Sequence, residues 1–229
     1  MGNKKQHTFR DLAQTAQLIN ETRGSNAKIK ICAEFFRAIE SEEDLELAAQ
    51  FLGEGAFSDL SGKRASVGSR TYSTLAADIC EIDYEKVFKP SKTALGSSSE
   101  AIEKLMHNIP AANKKWNSEG LSLDEVFRIF EKLHQVSSRV DKQEILREAW
   151  FMMSPLEIKY FLRIMGRGSL RIGFESKSIV SSISKAFGHK VQEVRYVHMI
   201  TGSIGRTAVL AKNDALEEAR FTLFQPIAF

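Results

Sequence analysis

Residues 122–133 read SLDEVFRIFEKL. Val126, Ile129, Phe130 and Leu133 recur at the three-and-four spacing of one helical face. Ahead of them, Ser122 and Glu125 form a capping-box pattern, in which a hydroxyl and a carboxylate each satisfy an orphan backbone N–H at a helix start. Ser154-Pro155-Leu156-Glu157 repeats the pattern with proline at the first helical position. It precedes the stripe Ile158, Phe161, Leu162 and Met165. Ser97 with Glu100 is a third case. Further stripes are Phe9, Leu12, Ala16 and Ile19; Leu45, Ala48, Ala49 and Leu52; and Ile179, Val180, Ile183 and Phe187. Prolines number four and strand-like alternation is scarce. These features predict an all-α chain of about ten helices joined by short loops.

The chain repeats itself. With Thr8 set against Ser122, a shift of 114, Phe9 meets Leu123, Asp11 meets Glu125, Lys28 meets Lys142, Cys32 meets Leu146 and Phe36 meets Trp150. After a one-residue gap Ser41 meets Ser154, and Gly53-Glu54-Gly55 meets Gly166-Arg167-Gly168. Past an insertion in the first copy, Val67-Gly68 meets Ile172-Gly173, and Leu95-Gly96 is set against Ile204-Gly205. The shared order of elements implies two pseudo-symmetric helical halves, about 8–85 and about 121–212. Residues 86–120, with Pro90 and Pro110, are expected to connect them, and 213–229 to lead out.

The chain has 229 residues, enough to bury a core without disulfides or metal. No apolar run approaches the roughly 20 residues that span a bilayer. MGNKKQHTFRDLAQ, at the start, holds no apolar signal core, so a cytoplasmic or otherwise intracellular setting is expected, nucleoid-associated or nuclear. Cys32 and Cys80 lie in apolar helical patterns and read as buried thiols. The net charge is +3, yet Tyr160–Lys212 carries nine basic residues against two acidic ones. A basic block in a neutral chain is the footprint of a polyanion-binding surface, although a solvated helical face has the same composition.

Catalytic signatures are incomplete. Gly62-Lys63-Arg64 lacks the first glycine and the following Ser or Thr of a P-loop. Gly166-Arg167-Gly168-Ser169-Leu170-Arg171 has arginine where a dinucleotide fingerprint needs glycine. The five histidines show no metal-ligand spacing, so no metal site is expected.

Three turns are suited to phosphate. Arg167, Gly168, Ser169, Leu170, Arg171 and Gly173 form a glycine-rich loop with two arginines, ahead of a helix expected over 175–186. Glycines allow close backbone approach, arginines fork onto phosphate oxygens, and a helix N-terminus favours anions. Lys177, in the first turn of that helix, opposes the helix dipole unless an anion sits there. Thr22–Lys28 and Val136–Lys142, matched across the repeat, place Ser25 and Lys28, and Ser137, Ser138 and Lys142, at helix starts. Thr201–Thr207 sets Gly205, Arg206 and Thr207 in a similar turn. Each turn also reads as an ordinary capped helix start. Aromatics are not interleaved with these basic residues, so base stacking is not expected.

Taken together, these residues resemble the N-terminal DNA-binding domain of ATP-dependent DNA ligases. Tyr160-Phe161-Leu162-Arg163-Ile164-Met165, Gly168-Ser169-Leu170-Arg171-Ile172-Gly173, Lys185-Ala186-Phe187-Gly188, the segment from Ser122 to Lys142, and Thr201-Gly202-Ser203-Ile204-Gly205-Arg206-Thr207-Ala208 carry the resemblance. Phe224-Gln225-Pro226-Ile227-Ala228-Phe229 is similar to the family's junction with its adenylation domain. The resemblance implies contacts across the minor groove to the sugar–phosphate backbone at Ser137, Ser138, Lys142, Gly168, Ser169, Leu170, Arg171, Gly173, Gly205, Arg206 and Thr207. Ser25 and Lys28 join them through the repeat, and Arg167 and Lys177 through charge placement. It also implies nicked or intact duplex DNA as partner, adenylation and OB-fold domains in the same parent chain, a monomer, and a role in repair, replication or recombination. The family's nucleophilic Lys-x-Asp-Gly is missing, and no Asp-Gly dipeptide occurs. This chain alone is therefore expected to be non-catalytic, with ATP and Mg²⁺ belonging to the parent ligase. The residues leave two other readings open, a helical-repeat protein-interaction scaffold and a double-stranded RNA binder.

Overall fold

The computed structural model describes residues 7–109, 120–166 and 170–220. Among them are twelve α-helices: α1 (Phe9–Glu21), α2 (Ser25–Ala38), α3 (Glu42–Gly53), α4 (Ser69–Ile79), α5 (Lys89–Leu95), α6 (Ser98–Asn108), α7 (Leu123–Gln135), α8 (Arg139–Phe151), α9 (Pro155–Met165), α10 (Ser176–Phe187), α11 (Val191–Thr201) and α12 (Ile204–Lys212). A π-helical turn at Tyr84–Phe88 runs into α5. The all-α class is as expected; the helices are more numerous than ten. Residues 86–109, read as connector, form α5 and α6, and Ala101, Ile102 and Met106 of α6 are fully buried. An apolar stripe of that spacing builds core rather than linker.

The sequence repeat reappears as a repeat of helices. α1 and α7 start and end 114 residues apart, and α2 and α8 start 114 apart. Ser122 and Glu125 form the capping box, as do Ser154 and Glu157. Thr8 and Asp11 exchange the equivalent pair of bonds at α1, at 2.9 and 3.3 Å. One pairing was out of register. Gly96 and Gly202 are the equivalent left-handed C-caps, of α5 and α11, whereas Gly205 lies inside α12. A Gly that ends a helix and a Gly that permits close packing look alike in a sequence.

Two compact units form, and they cut across the repeat. Unit 1 holds the latter part of α1 with α2, α3, α10, α11 and α12. Unit 2 holds the first turn of α1 with α4 to α9. Each unit thus joins the early helices of one copy to the late helices of the other. In unit 1, α2 packs on α10 and α3 on α12; in unit 2, α8 packs on α4 and α9 on α6. The equivalent residues Cys32 and Leu146, and Phe36 and Trp150, are all buried. Cys80 is buried too, and neither cysteine is in a disulfide.

Part of the basic block faces inward. Arg163 is paired with Glu100 and is buried beside Lys159, which lies 3.3 Å from Glu100 and 2.9 Å from Glu103. Lys212 donates to the Ile39 carbonyl at 2.8 Å and to that of Glu40. These cations satisfy carboxylates and a helix C-terminus, so charge counting overstates the surface field. No helix among the described residues is long and apolar enough to cross a membrane.

Candidate nucleic-acid interface

In unit 1 the turn before α10 is pinned by alternation. Leu170, Ile172 and Phe174 are buried, while Arg171, Gly173 and Glu175 between them are exposed. Arg171 holds φ at +57° and Gly173 at +61°. A non-glycine residue in the left-handed region carries local strain. Lys28, from the first turn of α2, closes the turn by donating from Nζ to the Ile172 carbonyl at 2.6 Å and the Gly173 carbonyl at 3.3 Å. At the other end of α2, Arg37 donates to the carbonyls of Ala186 and Lys185, the last turn of α10. The two helices therefore run parallel and bring their N-termini together.

Neither N-terminus is capped by a side chain. Gly24 is the N-cap of α2 and Glu175 that of α10, and neither helix has an acid in its first turn. Ser25 and Lys177 are exposed there. Two positive dipole ends with unfilled N–H groups at one place are suited to an anion.

Unit 2 repeats the construction with α8 and α4. Lys142 donates to the Ser66 carbonyl at 2.7 Å, just before α4, and Arg147 pairs with Asp78 near that helix's end. This pair too is parallel. Gly68, the N-cap of α4, provides no side-chain cap. α8 differs: Ser138 Oγ accepts from the Asp141 N–H, and Asp141 adds a negative charge to the first turn. Ser137 is exposed beside it. Sequence reading omitted Ser69 and Arg70 at the start of α4. The Val67-Gly68 match to Ile172-Gly173 sets them against Phe174 and Glu175, whereas the helix starts set them against Ser176 and Lys177, two residues further on. Arg70 stacks on Tyr84, 4.1 Å from its ring centroid, and lies 3.7 Å from Glu85.

The third turn is filled from within. The Ile204 N–H donates to Glu54 Oε1 at 2.5 Å, and Ser203 Oγ accepts from the Arg206 N–H. Thr207 is fully buried and donates to the Ser203 carbonyl at 2.6 Å. A Cβ on Gly205 would lie 2.6 Å from the Glu46 carbonyl oxygen. Gly205 thus packs closely on α3, Thr207 is buried against the turn and Thr201, and only Arg206 of the three is exposed. Leu170 is likewise a core side chain. Arg167, Gly168, Ser169 and the stretch 224–229 lie outside the described residues. Beneath this end of unit 1, burial pushes the Cys32 thiol up to about 12, with a hydrogen bond to Ser182 acting weakly the other way. No group of three or more His, Cys, Asp or Glu side chains among the described residues is arranged to hold a metal ion.

The model of the DNA ligase N terminus matches residues 8–184. The chain belongs to this family. A probable DNA ligase of Koribacter versatilis is 27% identical over 95% of the chain. A DNA ligase of Methanocorpusculum labreanum is 28% identical over 96%. A probable DNA ligase of Opitutus terrae is 31% identical over 47%. The chain spans 36% of the length of the first and 40% of the second. As a DNA ligase N-terminal domain it corresponds to only part of such proteins.

Proposed function

We propose that this chain is the DNA-binding module of an ATP-dependent DNA ligase. It grips nicked or intact duplex DNA by the sugar–phosphate backbone across the minor groove, without reading sequence. One observation carries the reading: the N-termini of α2 and α10, without side-chain caps and without an acid in either first turn, converge, held by Lys28. Phosphate oxygens take the free N–H groups, and Arg171 and Lys177 neutralise the charge. In unit 2, α4 with Ser69 and Arg70 plays the equivalent part, supported by Lys142. The nick is sealed elsewhere in the parent chain, where adenylation and OB-fold domains supply the chemistry with ATP and Mg²⁺. This chain contributes positioning, in repair or replication.

Titration of a labelled nicked duplex between roughly 50 and 200 mM NaCl tests the reading. Log affinity should fall linearly with log salt, with a slope of about −0.9 per phosphate neutralised. Unrelated duplex sequences should give the same slope. Salt-independent binding, or retention of proteins but not DNA, overturns it in favour of an interaction scaffold.

A further inference from the structure

Unit 1 contains a groove of about 620 Å³ between the first turns of α10 and the outer face of α11. Val180 and Met199 line it with apolar surface. Lys177 and Arg195 bring two cations, against the single carboxylate of Glu175. Among the described residues neither cation is in an ion pair. His198 also lines the groove, and partial burial lowers its pKa, so at neutral pH it offers a hydrogen bond rather than a charge. Tyr196 is 57% exposed there, a large aromatic surface left open to solvent.

This combination differs from that at the α2 and α10 N-termini. Duplex backbone needs cations and amides, and offers no base face to an aromatic ring. An exposed tyrosine flanked by an arginine and a lysine over an apolar floor suits an unpaired nucleotide: the base stacks on the ring and the phosphate meets the cations. The volume lies within the range of small-ligand clefts, about 300–1,000 Å³. Charge complementarity selects a polyanion, since the lining carries a net positive charge. Sequence reading did not join Tyr196 to Lys177, because 19 residues and a helix reversal separate them.

We infer that this groove receives a single-stranded flap or overhang leaving the duplex beside α10. The inference rests on the duplex-binding reading above, because Lys177 stands at both places. A ligase module with such a groove distinguishes flapped ends from flush nicks before any chemistry occurs.

Fluorescence anisotropy tests it with two probes, a nicked duplex and the same duplex bearing a short thymidine flap. The wild-type chain should bind the flapped probe about tenfold more tightly, the effect of one stacked base. Tyr196→Ala should remove that difference and leave plain-duplex affinity unchanged, and Tyr196→Phe should keep it. No flap preference in the wild type overturns the inference, as does an equal loss on both probes in Tyr196→Ala. A groove that instead holds an acidic peptide leaves both DNA affinities unmoved in Tyr196→Ala, which also overturns it. Failure of the plain duplex to bind at all refutes the duplex-binding reading instead, so the two failures are separable.

Discussion

Lys177 gives the sharpest test, because its two expected effects have opposite sign. It occupies the second position of α10, whose N-cap Glu175 makes no side-chain cap and whose first turn has no acid. A cation there opposes the helix dipole. Replacing it with a neutral side chain should stabilise the fold by about 0.3–0.5 kcal/mol, and Lys177→Glu by up to about 1 kcal/mol, discounted for exposure and salt. In a domain of this size that is a rise in Tm of roughly 1–3 °C. DNA affinity should move the other way. One phosphate contact contributes a slope of about 0.9 in log affinity against log salt, so its loss costs about fivefold near 0.15 M salt. Lys177→Gln should therefore weaken duplex binding about fivefold and flatten the salt slope by about one. Lys177→Glu should weaken it further, roughly 20- to 30-fold, by adding repulsion. Calorimetry or thermal circular dichroism reads stability, and anisotropy against salt reads binding. A lower Tm with unchanged affinity would refute the reasoning: Lys177 would then be a structural residue.

Three further outcomes test the packing. Gly205→Ala places a Cβ 2.6 Å from the Glu46 carbonyl oxygen and 2.9 Å from Glu46 Cγ, so it should destabilise by about 2–3 kcal/mol in urea melts. The DNA salt slope of the refolded variant should match wild type; a flattened slope would make Gly205 a contact residue. Lys159→Met strands Glu103 and leaves Glu100 to Arg163 alone, and Lys159 is only 3% exposed, so a loss of about 3 kcal/mol is expected in the same assay. Cys32 has a thiol raised from 9.0 to about 12 by burial. Its proton leaves the unfolded chain first, so its contribution to stability is complete below pH 9 and lost progressively between pH 9 and about 12. Cys32→Ala should flatten that alkaline decline in pH-dependent denaturation; an unchanged decline would contradict the shift.

Local features were legible and long-range ones were not. The capping boxes at Ser122 and Ser154 and the helical stripes lie within a few residues of each other, so they show in the sequence. The repeat identified Lys28 and Lys142 as equivalent. It did not show that each ammonium donates to the carbonyls of a turn 144 or 76 residues away. Nor can a repeat show which copies pack together. Equivalent helices carry similar apolar faces, and the exchange of early and late helices between units follows from shape complementarity that periodicity does not encode. The third turn differs from the others for a similar reason. Gly, Ser, Thr and Arg around Gly205 resemble the composition of the loop ending at Gly173, but Glu54, 150 residues upstream, accepts the Ile204 N–H.

That difference bears on the other turns. A helix N-terminus is a candidate for anions only while its N–H groups lack an internal acceptor. Applied across the chain, this condition sorts helices that the sequence leaves equal. Glu54 and Ser203 take the Ile204 and Arg206 N–H groups of α12, and Ser138 and Asp141 occupy the start of α8. α2, α4 and α10 remain, each without a side-chain cap and without a first-turn acid; α5 shares both features, but its first N–H donates to the Tyr84 carbonyl of the π-helical turn. The divergence between copies is then informative. Gly24 and Ala27 stand where Ser138 and Asp141 stand in the second copy, so the α2 start has an open anion site where the α8 start has a cap. On the duplex-binding proposal, unit 1 is then expected to hold phosphate more tightly than unit 2, and unit 1 also holds Tyr196 and its groove. A nick divides a duplex into two flanks that carry different strand ends. On that proposal, units that hold phosphate unequally are expected to favour one orientation on a nicked duplex over the other, and equal units would not.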